Sequence, residues 1–111
     1  MGSLVGFESI GDSKEFSLVY KDAKKWHCES CILFYRPSQE NKMAVVASKK
    51  VGKAVIRNRC KRLLKSAFIN ASSNLKDGTY ILIAKSGVDK ISFNDINKNL
   101  KWSLKKLGCL K

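Results

Sequence analysis

Acidic residues are scarce in this chain: 9 Asp or Glu stand against 22 Lys or Arg in 111 residues, a formal net charge of +13. The deficit is sharpest between Asn41 and Lys76, where ten Lys or Arg occur without a single Asp or Glu. No apolar run approaches the roughly 20 residues that cross a bilayer, which excludes a membrane-spanning helix. The N-terminal Met1-Gly-Ser-Leu-Val-Gly6 lacks the basic region and apolar stretch of a signal peptide. Gly6 also stands where a myristoylation signal needs Ser or Thr. The chain is therefore expected to be soluble and cytoplasmic. There is one histidine, His27, with no carboxylate cluster beside it, so a self-contained protein nuclease has no general acid–base pair to use. Val51-Gly52-Lys53 holds a lone glycine without phosphate-loop spacing, and no helix-turn-helix or zinc-finger pattern occurs. Repeats, low-complexity tracts and linkers are absent too.

Four cysteines are present, and Cys28 and Cys31 form a Cys-x-x-Cys after His27. A structural zinc site needs four ligands, commonly as two close pairs, and here the second pair is missing. Cys60 and Cys109 are isolated. The run Cys31-Ile-Leu-Phe-Tyr35 alternates as a strand does, so the cysteines read as small apolar residues in or beside it. No metal ligand and no catalytic residue is assigned to this chain.

What is present fits one domain, 1–111: 44% apolar and 9% aromatic residues suit a globular fold. Residues 1–11 are expected to be a flexible N-terminus and 12–108 the folded body. Asp12-Ser-Lys-Glu15 has the spacing of a capping box. Phe16, Val19, Tyr20 and Ala23 then repeat at helical intervals. Lys24–His27, Cys31–Tyr35, Met43–Ser48 and Thr79–Ala84 read as strands. Lys49–Lys53 opens a long helix to about Ala71. At about 100° per residue, its Ile56, Cys60, Leu63, Leu64, Ala67 and Phe68 share one face. Arg57, Asn58, Lys61, Arg62 and Lys65 lie opposite, with Arg59 towards the edge. Ser92-x-x-Asp95 caps a last helix whose Ile96, Leu100, Leu104 and Leu107 form its core stripe, leaving Trp102 among Lys98, Lys105 and Lys106. The order predicts an α/β sandwich, one small sheet with helices against it.

The cations of the long helix repel one another: Lys53 and Arg57, Arg57 and Lys61, and Lys61 and Lys65 are like charges at i, i+4. Compensating negative charge must come from outside, and a polyphosphate backbone is the natural source.

The stretch from Ser48-Lys-Lys-Val-Gly-Lys through Arg57-Asn58-Arg59-Cys-Lys-Arg to Phe68 resembles the signature of the bacterial ribonuclease P protein subunit. Phe16-x-x-x-Tyr20, Tyr80-Ile-Leu-Ile-Ala84 and the terminal helix are similar in register, so the resemblance spans about residues 12–108. The chain departs at Cys31, where the family often has an aromatic, and at Cys60, read as core packing. The resemblance implies an αβββαβα fold with a four-stranded sheet and a left-handed β-α-β crossover. It implies a protein cofactor of a ribozyme that removes the 5′ leader of precursor tRNA, with catalysis by RNA and Mg²⁺ required by the holoenzyme but not bound by the protein alone. Lys49, Lys50, Lys53, Arg57, Asn58, Arg59, Lys61, Arg62 and Lys65 are the RNA-binding candidates. Phe16, Tyr20 and Phe34 are the leader-binding candidates, and Tyr35 competes with Phe34 because alternation lets only one of them face the leader platform.

The expected partners are the catalytic RNA and the precursor tRNA leader, with no membrane and no obligate protein partner. Three other readings stay open on the residues alone. A structural RNA binder of the translation apparatus has the same composition. A membrane-surface protein driven by the basic amphipathic helix is separable by liposome flotation. A protein-only nuclease is separable by cleavage without an RNA subunit.

Overall fold

The computed structural model describes residues 8–9, 13–39, 41–71 and 75–109. In chain order these form β1 (Glu8–Ser9), α1 (Ser13–Asp22), β2 (Lys24–His27), β3 (Cys31–Pro37) and β4 (Lys42–Val46). A 3₁₀ turn (Lys49–Val51), α2 (Ala54–Ala71), β5 (Gly78–Ala84), a second 3₁₀ turn (Val88–Lys90) and α3 (Phe93–Lys106) complete the order. The sheet runs β1-β4-β5-β3-β2. β3 pairs antiparallel with both β2 and β5, whereas β4 lies parallel to β5 and β1 parallel to β4. Parallel neighbours need a crossover, and α2 supplies it between β4 and β5.

The four longer strands and three helices match the expected α/β sandwich. To the expected four strands the structure adds a fifth: Glu8–Ser9, ahead of the first helix, pair with Lys42 and Met43. Two residues carry no periodicity, so pattern reading cannot find such a strand. The capping box at Asp12–Glu15 rests on side chains outside the described residues. The long helix also starts later than its basic prelude: Lys49–Val51 is a separate 3₁₀ turn, closed by Gly52 at φ 149°. A Cβ there would approach Ile56 Cγ2 to 3.1 Å.

Strand alternation divides the molecule into three layers. Leu33, Tyr35, Met43, Tyr80 and Leu82 face α2 and α3, packing on Leu64, Phe68, Leu100 and Leu104. Ile81 turns to the other face, where Val19 of α1 buries against it, with Phe16, Phe34, Ala44, Val46 and Ile83 partly buried around them. Each fully buried Leu or Phe contributes about 1.5–3 kcal/mol. α3 starts as its spacing predicts: Ser92 Oγ accepts from the Asp95 N–H at 3.2 Å.

Gly78 marks the tightest approach in the sheet. It sits at φ 155°, where a Cβ would lie 2.7 Å from the Arg36 carbonyl oxygen and 2.7 Å from the Tyr35 ring. Its N–H donates to Asn41 Oδ1 at 3.1 Å, tying the β3–β4 connection to the start of β5.

Candidate nucleic-acid interface

α2 divides as its periodicity requires. Cys60, Leu64, Ala67, Phe68 and Ala71 are buried, with Ile56 and Leu63 packed at the margin. Asn58, Arg59, Lys61 and Arg62 are exposed, and Arg57 and Lys65 are half-buried at the flanks. Lys49, Lys50 and Lys53 are exposed just ahead of the helix, so the nine candidates share its outer side and N-terminal approach. Among the described residues none of them forms an ion pair.

The polarity of α2 is the reverse of what its own dipole favours. Its first turn holds no acidic residue and its last turn no basic one. Cations beside the positive end of a helix are unfavourable by about 0.3–1 kcal/mol each. Their placement does not serve the helix, but it does suit an anion: free N–H groups and positive charge together bind phosphate. A shallow groove of about 470 Å³ runs along this side, lined by Val55, Arg59, Arg62, Leu63 and Ser66. Val55 at its head is 79% exposed. Arg57 Nε is buried without a hydrogen-bond partner, so part of that guanidinium is desolvated without compensation.

The aromatic candidates also meet, on the opposite face of the sheet. Phe16 and Tyr20 have ring centroids 6.1 Å apart. Tyr20 meets Phe34 edge to face at 5.0 Å. Register turns Phe34 to the α1 side of the sheet and Tyr35 to the other. Tyr35 is buried against Tyr80 at 4.9 Å, and its hydroxyl donates to the Asp77 carbonyl at 3.2 Å. Arg36, in phase with Phe34, approaches Asp22 at the end of α1, Nε to Oδ2 3.9 Å. The structure thus gathers the cations on one face and the aromatics on the other, and does not merge them.

Two features escaped the sequence reading. Cys28 and Cys31 are buried, as packing residues should be, but their Sγ atoms are also 3.5 Å apart. The Cys31 thiol, with help from Ser30 and Ser103, stabilises a Cys28 thiolate against the opposing effect of burial and lowers its pKa to about 5. Cys31 in turn is pushed well above the usual thiol range by Cys28 and by burial. Protonated, Cys28 instead donates to the Cys31 carbonyl at 3.1 Å. The second feature is Trp26 against Trp102, with ring centroids at 5.4 Å; a separation of 76 positions leaves no local signal. His27 is exposed at the end of β2. Among the described residues no group of three or more His, Cys, Asp or Glu gathers as ligands for a metal ion.

Fold and surface together define a small basic α/β protein with a cationic helix on one side of its sheet and an aromatic cluster on the other. The family profile described as Ribonuclease P matches residues 6–108. The chain is 37% identical over 102 residues to the Ribonuclease P protein component of Nitratiruptor sp., covering 92% of this chain and 94% of that one. It is 36% identical over 96 residues to the Ribonuclease P protein component of Lactococcus lactis, covering 84% and 81%. Its fold matches the RNase P protein of Staphylococcus aureus with a TM-score of 0.81 at 23% identity, covering 93% of this chain and 97% of that one. It matches that of Thermotoga maritima with a TM-score of 0.78 at 22% identity, covering 89% and 96%. The chain belongs to the Ribonuclease P protein family, which gives it a part in tRNA 5′ processing with ribonuclease P RNA. No helix among the described residues is long and apolar enough to cross a membrane.

Proposed function

We propose that this chain is the protein cofactor of a ribonuclease P ribozyme, holding the catalytic RNA through α2 and the 5′ leader of precursor tRNA through Phe16, Tyr20 and Phe34. The observation that carries the reading is the uncompensated cationic side of α2, whose charges oppose both one another and the helix dipole. Arg57 and Arg59 can offer bidentate donors to phosphate oxygens, and Asn58 between them can donate and accept. The lysines act as point charges along the backbone. Hydrolysis of a phosphodiester needs an activated water, which a metal ion supplies. In this reading Mg²⁺ is held by the RNA, and the protein binds, orients and lowers charge repulsion.

The test is cleavage of precursor tRNA by ribonuclease P RNA with and without protein, across a Mg²⁺ titration. The protein's cations and excess Mg²⁺ relieve the same repulsion, so the protein's benefit should be largest at low Mg²⁺ and shrink as it rises. A benefit that stays flat overturns the account. Cleavage by the protein without RNA would overturn the assignment of catalysis.

A further inference from the structure

Trp102 belongs to neither surface described above. It lies on the outside of α3, 52% exposed, although a large apolar ring gains nothing from standing in water. Lys98 and Lys106 are four residues before and after it and Lys105 is three after, so all three share its neighbourhood on adjacent turns. Lys98 and Lys106 span about 12 Å of helix. All three lysines are exposed. Lys106 Nζ sits 5.1 Å from the centre of the Trp102 ring. Across the gap, Trp26 of β2 meets Trp102 at 5.4 Å, with ring planes 66° apart. Lys24, on the same side of β2 as Trp26 by strand alternation, has its charge felt by Cys109, just past the end of α3.

Helix stability does not account for this patch. Lys105 and Lys106 in the last turn favour the dipole. That argument does not reach Lys98, Lys24 or an exposed indole. No Asp or Glu follows Asp95 in the chain, so no acidic side chain of α3 lies within a turn of Trp102. A second copy of this chain is a poor occupant. β2 is one of the two edge strands, and pairing it with a second copy would bring Lys24 and Lys25 of both copies close together. Charge complementarity selects a polyanion, and an exposed indole selects one with unpaired planar bases.

We propose that Trp102, with Lys24, Lys98, Lys105 and Lys106, forms a further RNA contact that takes an unpaired nucleotide, its base stacked on the indole and its flanking phosphates on the lysines. The surface lies at the β2 edge, on the opposite side of the sheet from Phe16 and Tyr20, and on a different helix from the Arg57–Arg59 motif. Lys106 holds the place of the base in the free protein. Stacking of a base on an aromatic ring exceeds an exposed cation–π contact, so the ammonium can swing from ring to phosphate as the base arrives. The proposal rests on the chain being an RNA binder and adds a site to it.

The experiment measures affinity of the full-length protein for ribonuclease P RNA, with Trp102→Leu, Trp102→Phe, Lys98→Ala and Arg59→Ala compared at several salt concentrations. Leu keeps the apolar cover over Trp26 but removes the stacking surface, and should weaken binding about tenfold. Phe keeps a ring and should lose no more than about threefold. Lys98→Ala, at an exposed position, should flatten the logarithmic salt dependence by about one unit, so the proposal stays testable even if Trp102→Leu melts early. Quenching of tryptophan fluorescence by the RNA should shrink in Trp102→Leu. If the Trp102 and Lys98 variants bind as the parent does while Arg59→Ala is impaired, this contact is overturned and the wider reading stands. If none is impaired, both fall. A change of oligomeric state in Trp102→Leu with unaltered RNA affinity would make the patch a self-association face and overturn the proposal.

Discussion

Tyr20 on α1 and Phe34 on β3 meet edge to face, their ring centroids 5.0 Å apart and their planes at 69°. Such a pair is worth about 0.5–1.5 kcal/mol beyond the area it buries. It braces α1 against the sheet while Tyr20 remains 41% exposed. One ring therefore has an anchored edge and an accessible surface, which a purely structural aromatic does not need.

On the cationic side, Arg59→Ala should weaken binding of ribonuclease P RNA by about 1.5–3 kcal/mol if the lost contact is a charged hydrogen bond. Arg59 is exposed, so stability should change by no more than about 0.5 kcal/mol. Arg57→Ala should also weaken binding. It removes a buried donor that has no partner, so its folding stability should hold or rise. Filter binding and thermal melts on the same preparations separate the two quantities. Unchanged affinity for both variants would remove the motif from the interface.

Gly78→Ala tests the packing of the sheet. The added Cβ would meet the Arg36 carbonyl and the Tyr35 ring at 2.7 Å, in a backbone conformation side chains rarely adopt. Together these should cost about 2–4 kcal/mol in urea unfolding. Gly87→Ala is the control. Its φ of 94° is also unfavourable, but nothing lies within 4 Å of the new atom. It should cost about 1–2 kcal/mol. Equal losses would mean that conformation, not contact, makes Gly78 necessary.

Much of this architecture was legible from residue spacing. Ile96, Leu100 and Leu104 repeat at four, and all three are fully buried. Alternation placed β3, which buries one face fully and the other in part, whereas β5 showed as a β-rich apolar run and is buried on both faces but for Ile83. Sheet order was not legible, because β5 inserts between β3 and β4 and no local signal announces a partner some 40 positions away. The Phe34–Tyr35 alternative needed the register of β3 on β5, which sets Tyr35 opposite Tyr80. The cationic face of α2 was readable from its wheel, but proposing an RNA for it required the resemblance carried by Arg57-Asn58-Arg59. Cys28 and Cys31 were visible as a pair. Their shared proton was not, since it depends on the hairpin that sets their sulfurs 3.5 Å apart.

That shared proton has a pH signature. The Cys28 pKa falls from about 9.0 to about 5, so its thiolate persists at neutral pH. Burial pushes Cys60 up and lifts Cys109 to about 11. Iodoacetamide at pH 7 should therefore label Cys28 ahead of the other three, with the rate falling as pH drops through about 5. The linked stability has a definite sign. A depressed thiol stabilises the fold fully above its unfolded value and loses that contribution as pH falls towards 5. Raised Cys31 acts oppositely above pH 9. Mass spectrometry of labelled peptides reads the order, and preferential labelling of Cys60 or Cys109 would overturn it. Cys28→Ser with Cys31→Ser should leave cleavage nearly intact and metal content at zero; stoichiometric zinc in the untagged parent protein would mark the pair as ligands.

The proposed leader platform offers the most selective test. Phe16 and Phe34 are half-buried and Tyr20 is exposed, so the three rings form a stepped apolar surface beside α1. Aromatic rings stack on unpaired bases with little sequence preference, at roughly 1–3 kcal/mol per base. A factor that meets many different leaders needs that tolerance. Replacing Phe16 and Tyr20 with Leu keeps apolar bulk over Val19 and Ile81 but removes the stacking surface. Affinity should fall for precursor tRNA with a long leader and hold for a one-nucleotide leader and for mature tRNA. The double variant also loses the Tyr20–Phe34 contact, so its melting temperature should be measured alongside. Tyr20→Phe serves as a second probe, since it keeps the ring and should keep the long-leader preference. Equal losses on long and short leaders, or a long-leader preference that survives in the double variant, would return these rings to the core of the fold.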